Sequence, residues 1–169
     1  MKRVLSVMAV MAALASPALL AVASPASAQN AGQIGKAQSG ASCAGCNLFQ
    51  ADFSNRELRG KNFAGARLRQ ADLSLGSFNR TSFAGGDLRD LNGFGALFSN
   101  ASFVKANLTN ATFVGAYLEG ANFAGANLSG VNFSGAEMSS ARGLTQRQLD
   151  GACGDRETQL PRGLRIPVC

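Results

Sequence analysis

The sequence contains no histidine and no tryptophan, and it has a single tyrosine among its 169 residues. Without an imidazole the chain lacks the commonest general base and a common zinc ligand, so we predict no catalytic residues, no metal site and no cofactor. Charged residues are also sparse, at 15% against 46% apolar residues. That balance excludes an intrinsically disordered chain and fits one folded domain.

The charge that is present is mainly positive. The 16 Lys and Arg residues outnumber ten Asp and Glu residues, which gives a formal charge of +6. Lys2 and Arg3 lie in a segment that we predict to be removed, and the remaining 14 cations and ten anions give +4. This excess is modest, so we predict no nucleic-acid partner.

Residues 1–28 have the organisation of a secretory signal peptide. A short basic start is followed by an apolar, Ala-rich run from Val4 to Ala23, and Ala26-Ser27-Ala28 matches the small-x-small cleavage pattern. We predict cleavage after Ala28, no stable membrane span after cleavage, and a periplasmic or secreted location. The alternative is an uncleaved membrane anchor, because about 20 apolar residues can span a bilayer.

Export favours disulfides between the four cysteines. They form two local pairs, Cys43 with Cys46 and Cys153 with Cys169. Four cysteines allow three connectivities, and the sequence alone does not choose between them.

The middle of the chain, residues 46–140, repeats without interruption every five residues. If the central residue of each unit is called i, 18 of the 19 centres from Leu48 to Met138 are Leu, Phe or Met, and the exception is Gly93. Position i−2 is Ala in 11 units, i−1 is Asn or Asp in ten, and i+2 is Gly in nine. A period of five matches neither a helix nor a strand and predicts a coil with a turn in every unit.

Units such as Ala106-Asn107-Leu108-Thr109-Asn110 resemble the A-(D/N)-L-x-x unit of pentapeptide-repeat proteins. The resemblance covers 95 of 169 residues. It implies an all-β fold, the right-handed quadrilateral β-helix, in which four units form one coil and residue n stacks beneath residue n+20. Nineteen units would make about 4.75 coils and a solenoid of about 23 Å, at ~4.8 Å per coil.

The implied stacking predicts core ladders of identical residues. It also predicts that Ala at i−2 points inward, and that Gly and Asn at i+2 occupy corners that require positive φ. The two uniform columns are Leu48, Leu68, Leu88, Leu108 and Leu128 on one face, and Phe63, Phe83, Phe103 and Phe123 on another.

The implied length also bears on the cysteines. The two pairs would lie at opposite ends of the solenoid, too far apart for a bond that needs Cα atoms within ~7 Å. We therefore favour Cys153–Cys169 and, less firmly, Cys43–Cys46. Dimers linked by disulfides through Cys43 and Cys46 are the alternative for the first pair.

The two ends depart from the repeat. Residues 29–45 are Gly, Ala and polar, and predict a flexible leader. In residues 141–169, Thr145 and Gln148 form a capping box for a short helix through Leu149 to about Ala152, and Gly154 ends it. This segment resembles the C-terminal cap of exported pentapeptide-repeat proteins from Gram-negative bacteria. The apolar residues expected to cover the last coil are Leu144, Leu149, Leu160, Leu164 and Ile166.

Two outward surfaces are candidate binding sites. Arg67, Arg69 and Arg89 form a cationic column that could bind an anionic polymer or lipid headgroup, or could be solubilising charge paired with nearby carboxylates. The second surface is an apolar patch formed by Phe94, Leu97, Val114 and Tyr117. It could bind a partner protein or a second copy of the chain in a homodimer. The alternative for the patch is that Phe94 folds back to fill the space beside Gly93.

These observations favour an exported, non-enzymatic scaffold or binding module of the cell envelope, whose partner is an envelope protein or an anionic polymer. The alternative is a self-associating structural protein. The family also contains DNA mimics that act on gyrase, but those are acidic and cytosolic, whereas this chain is basic. A carboxylate-based hydrolase would need Asp52 and Asp72, which share one outward column, to raise one another's pKa.

Overall fold

The structure is a computed structural model, and it describes residues 29–169. The predicted signal peptide, residues 1–28, lies outside the described residues. Among residues 29–169, no helix has both the length and the apolar character needed to cross a membrane.

Stacked coils of twenty residues form the body of the molecule. Sixteen parallel β-bridges, one every five residues, join residue n to residue n+20, from Asn47↔Arg67 to Asn122↔Arg142. Each bridge is isolated, because a unit contributes one bridging residue before the chain turns. Within residues 29–169 the regular elements are therefore bridges and two short helices, α1 (Ala31–Gln38) and α2 (Gln146–Leu149).

In most units, three amide groups donate hydrogen bonds to backbone carbonyls of a neighbouring coil. In the unit centred on Leu108, the amide of Asn107 donates to Gly86 O at 2.9 Å, that of Leu108 to Asn127 O at 2.9 Å, and that of Asn110 to Ser129 O at 2.9 Å. The next amide, that of Ala111, closes the turn by donating to Leu108 O at 2.9 Å. Only the amide at i+1 has no backbone acceptor in this pattern.

Asn and Asp at i−1 supply the missing acceptor. In all ten units that carry one, its Oδ1 accepts a hydrogen bond from the amide at i+1, over distances of 2.9–3.4 Å. Thr109, for example, donates to Asn107 at 3.2 Å. The preference for Asn and Asp at this outward position therefore has a backbone cause, a short side chain that reaches two residues along the chain.

The centres of all units are buried, and the phenylalanines stack. Phe63, Phe83, Phe103 and Phe123 form a continuous ladder, with successive ring centroids 5.9, 5.4 and 5.1 Å apart. Edge-to-face contacts with the neighbouring columns, such as Phe98 to Phe103 at 5.5 Å, close the core.

The corners have the predicted positive φ. All 18 corner residues from Gln50 to Gly135 have φ between 55° and 71°, and nine of them are not glycine. Four of these nine are Asn or Asp, which tolerate this conformation, and the other five are Gln50, Gln70, Leu75, Arg80 and Lys105.

The expectation of a flexible leader over residues 29–45 is wrong for Ala31–Gln38, which form α1. Asn30 caps this helix by accepting from the amide of Gln33 at 3.0 Å, and Ala37 is fully buried. The side chain of Gln33 accepts from the amide of Asn47 at 2.6 Å, and Gln38 donates to Asp52 O at 2.8 Å. The segment is ordered because it covers the first coil and satisfies backbone groups that an open edge would expose.

The C-terminal segment covers the last coil. Thr145 and Gln148 form the expected capping box, although α2 ends at Leu149 and not near Ala152. Gln148 Nε2 donates to Phe123 O and Ala126 O at 2.9 Å each, while Leu149 is fully buried. The four remaining apolar residues of the cap pack partly buried against the core: Leu144, Leu160, Leu164 and Ile166.

A disulfide lies in each end segment. Cys43 is bonded to Cys46, with Cα atoms 5.4 Å apart, and Cys153 is bonded to Cys169, with Cα atoms 4.8 Å apart. The second bond holds the terminal residue beside Gly154, whose carbonyl accepts from the amide of Cys169 at 2.9 Å.

We expect Phe103→Ala to lower the free energy of unfolding by roughly 3–5 kcal/mol, because it removes a fully buried ring from the ladder. Phe94→Ala removes a ring that is 49% exposed and serves as the matched control, with an expected loss below about 1 kcal/mol. Denaturant unfolding measures both values. Equal losses would contradict the inward and outward assignment of the two positions.

Candidate functional site: two exposed surfaces

An exposed apolar surface, here called the apolar corner, is formed by Leu75, Phe94, Leu97, Val114 and Tyr117. Leu97 and Tyr117 are joined by a parallel bridge, and the amide of Leu75 donates to Phe94 O at 2.9 Å. Within residues 29–169, the exposed large hydrophobic side chains are Leu75, Phe94, Tyr117 and Val168. Three of the four therefore lie at this corner.

Phe94 is directed outward, and the alternative that it folds back toward Gly93 is wrong. The space beside Gly93 is filled from the next coil, because a Cβ atom added there would lie 2.9 Å from Cδ1 of Phe113. Gly93 therefore makes room for a core ring, and Phe94 remains 49% exposed.

Sequence reasoning missed Leu75, which is 58% exposed and has φ of 57°. A Cβ added to Gly95, in the next coil, would lie 2.9 Å from Leu75 Cδ2, so the leucine lies over that glycine. The available signal was a leucine at i+2, where glycine is the commonest residue.

The three arginines of the cationic column contact other groups of the same chain. Arg89 Nε and Nη2 donate to the two carboxylate oxygens of Asp87 at 2.7 Å each, and Arg69 pairs with Asp90 at 3.4 Å. Arg67 lies with its Cζ 5.6 Å from the ring centroid of Phe49. The structure therefore agrees with paired, solubilising charge at Arg67, Arg69 and Arg89 and gives little support to an anion site there.

The arginines beside Asp87 lower the pKa of its carboxyl group. The main cause is the side-chain hydrogen bond from Arg89, while partial burial acts in the opposite direction. The carboxylate is consequently ionised over a wider range of pH than an isolated aspartate.

The two aspartates of the hydrolase hypothesis lie on bridged residues, Asp52↔Asp72. Hydrogen bonds from the Ser54 hydroxyl and amide lower the pKa of Asp52, which is opposite to the raised pKa that a general acid requires. Asp72 accepts from the Ser74 amide at 2.9 Å and from Asn92 Nδ2 at 3.0 Å. In the described part of the chain, no group of His, Cys, Asp or Glu is placed to hold a metal ion.

Comparison with known proteins gives a consistent match to one repeat family. A family model described as pentapeptide repeats matches in eight copies, over residues 46–85, 77–120 and 113–142. Among solved structures, the pentapeptide repeat protein Rfr23 from the cyanobacterium Cyanothece 51142 is 21% identical, with a TM-score of 0.63 over 76% of this chain and 97% of its own. At this identity the likeness shows the fold alone.

Two further solved structures have lower TM-scores. HetL from Nostoc sp. strain PCC 7120, a pentapeptide repeat protein involved in heterocyst differentiation regulation, is 23% identical, with a TM-score of 0.41 over 76% of this chain and 60% of its own. A pentapeptide repeat protein from the thylakoid lumen of Arabidopsis thaliana is 30% identical, with a TM-score of 0.34 over 60% of this chain and 66% of its own. Among curated proteins, none matches the chain.

We expect Arg89→Gln to raise the pKa of Asp87 toward its ordinary value of 3.8, because the main stabilising hydrogen bond is lost. A lowered pKa in the folded state means that the pair stabilises the fold above the ordinary carboxyl pKa, and that this contribution disappears as pH falls through the lowered value. When the pH is lowered, the variant should therefore lose less of its free energy of unfolding than the original protein does. NMR titration of the Asp87 carboxyl carbon measures the shift, with Arg147→Gln as control; an unmoved pKa would contradict the pairing.

Proposed function

The chain belongs to the pentapeptide-repeat family, and from that premise we propose that it is an exported, non-enzymatic binding module of the cell envelope. The proposal includes the finer architecture, a right-handed quadrilateral β-helix of about 4.75 coils. A solenoid of this kind presents flat outer faces built from the i−1 and i+1 side chains, which can vary without disturbing the core. Family membership by itself supplies the fold and no partner.

The apolar corner is the observation that carries the proposal. Soluble monomers rarely expose large apolar side chains together, and a cluster of them indicates a contact surface. Phe94 and Tyr117 are aromatic residues of the type that dominates binding energy at protein interfaces. We therefore propose a protein partner that covers this corner.

The conformation of Leu75 supports the same role. Leucine at φ of 57° is less favourable than glycine or asparagine, which occupy many of the other corners. Its side chain gains little from burial, because it is 58% exposed. A strained, exposed apolar residue contributes little to the stability of the fold. A partner that covered Leu75 would bury its side chain, so contact with a partner accounts for a leucine at this position.

The proposed location is the periplasm or the outside of the cell. The signal-like organisation of residues 1–28 supports it, and so do the two disulfides, which persist in oxidising compartments. Both ends of the coil stack are covered by α1 and by the C-terminal segment, so contacts with a partner are expected along the sides of the solenoid and not at its ends.

Photo-crosslinking in the native host tests the proposal. A benzophenone side chain replaces Tyr117 in one strain and Arg69, on another face, in a second strain, and adducts are identified by mass spectrometry. We expect one specific envelope protein to be captured from position 117 and not from position 69. Leu75→Asn should reduce its yield at least about fivefold, as removal of more than about 1 kcal/mol of contact energy does.

The Leu75→Asn variant must remain folded, and asparagine fits the left-handed corner, so we expect its Tm to be unchanged or higher. Adducts between two copies of this chain would support the self-associating alternative and contradict the binding module. Capture of the same proteins from both positions, or a yield that ignores Leu75→Asn, would contradict the assignment of the surface.

A further inference from the structure

A groove of about 370 Å³ lies on one column of the solenoid, and none of the residues of the apolar corner lines it. Three stacked units form it, those centred on Leu58, Phe78 and Phe98, because their i+1 and i+2 residues recur every twenty residues. The lining residues are Arg59, Gly60, Asn79, Arg80, Ser99 and Asn100.

The groove is lined by cations and neutral polar groups. Arg80 is exposed, and its guanidinium makes no hydrogen bond or ion pair with the residues that the structure describes. Arg59 uses its Nε, which donates to Ser77 Oγ at 2.8 Å and lies 3.2 Å from Glu57 Oε1. Its two terminal nitrogens have no partner among residues 29–169, so both arginines retain donors for an anion.

The neutral side chains can recognise hydroxyl groups. Asn79 Oδ1 accepts from the amide of Ser99 at 2.7 Å, which orients the side chain and leaves its Nδ2 without an acceptor in the described part of the chain. Ser99 and Asn100, which carry a hydroxyl and a carboxamide, also line the groove. Donors and acceptors of this kind suit the hydroxyl groups of a sugar.

The nearby carboxylates are already engaged elsewhere. Glu57 pairs with Arg59, at 3.2 Å. Glu119, one coil beyond Ser99, accepts from the Ser139 hydroxyl at 2.8 Å and from the Ser140 amide at 2.9 Å, and these bonds hold its carboxylate toward the following coil. No carboxylate lines the groove itself, which leaves its charge positive.

Arg80 occupies a corner that favours other residues. Its φ is 60°, and the equivalent corners of the same column are Gly60, Asn100 and Gly120. An arginine there is less favourable for the backbone than glycine or asparagine, as are Gln50, Gln70 and Lys105 at their corners, and it brings a charged side chain to the groove.

We propose that this groove binds a phosphorylated saccharide, with Arg59 and Arg80 on the phosphoryl oxygens and Asn79, Ser99 and Asn100 on the sugar hydroxyls. Guanidinium groups match phosphoryl oxygens as paired donors. The volume lies within the roughly 300–1,000 Å³ typical of small-molecule sites. The phosphorylated saccharide is either a soluble molecule or the headgroup of a lipid.

Calorimetric titration of the disulfide-bonded protein with glucose 1-phosphate, glucose and inorganic phosphate tests the proposal. We expect glucose 1-phosphate to bind more tightly than either of the other two. Arg80→Gln should weaken that binding about tenfold or more, through loss of charge-assisted hydrogen bonds. Glutamine fits this backbone, because Gln50 and Gln70 occupy the same kind of corner with φ of 55° and 59°.

Arg162→Gln removes the same charge from the exposed C-terminal segment and should leave the affinity unchanged. Equal weakening by the two variants, or equal affinity for glucose 1-phosphate and inorganic phosphate, would overturn the proposal in favour of nonspecific charge attraction. Unchanged affinity in Arg80→Gln, with an unchanged Tm showing that the variant is folded, would overturn the placement of the site.

A flotation assay separates the two sources of the ligand. Vesicles of phosphatidylcholine that contain a phosphorylated glycolipid are compared with vesicles of phosphatidylcholine alone. Binding to the first that Arg80→Gln weakens identifies a lipid headgroup, and binding of glucose 1-phosphate without vesicle binding identifies a soluble saccharide. Absence of binding in both assays would overturn the proposal.

Discussion

Hydrogen bonds between each coil and the next determine the rest of this structure. Because they pair residue n with residue n+20 in a parallel bridge, every position of the five-residue unit stacks on the same position of the next coil. The central residue must fill the interior, the buried i−2 residue is Ala in most units, and the i+2 residue must accept positive φ. The Phe63–Phe123 ladder and the Asn and Asp acceptors at i−1 follow from this one constraint.

The same constraint determines where binding residues can lie. Side chains at i−1 and i+1 leave the core untouched, so four of the five residues of the apolar corner and three of the six residues that line the groove come from these positions. Leu75 and Arg80 instead occupy i+2 corners, as Gln50, Gln70 and Lys105 also do, where the backbone is less favourable for them than for glycine or asparagine.

Much of the interior could be predicted from the sequence, because a period of five leaves few choices for the residues inside. The capping box at Thr145 follows from the residue pattern, while the central columns and the corners follow from the period of five together with the four-unit coil that the family resemblance implies. Helix α1 could not be predicted, since its glycines disfavour a helix and its order depends on contacts with the first coil. The groove and the pairing of Arg89 with Asp87 depend on side-chain directions across coils, which a linear pattern does not contain.

Amide hydrogen exchange, resolved by NMR, tests the stacking most directly. We predict slow exchange at i−1, i and i+2 in the inner coils, where these amides donate to neighbouring coils, and faster exchange at those i+1 amides that have no side-chain acceptor. The amide of Val104, whose unit has Ser102 at i−1, should exchange faster than the amide of Thr109, which donates to Asn107. Protection that alternates every second residue, or that shows no period of five, would contradict the stacked coil.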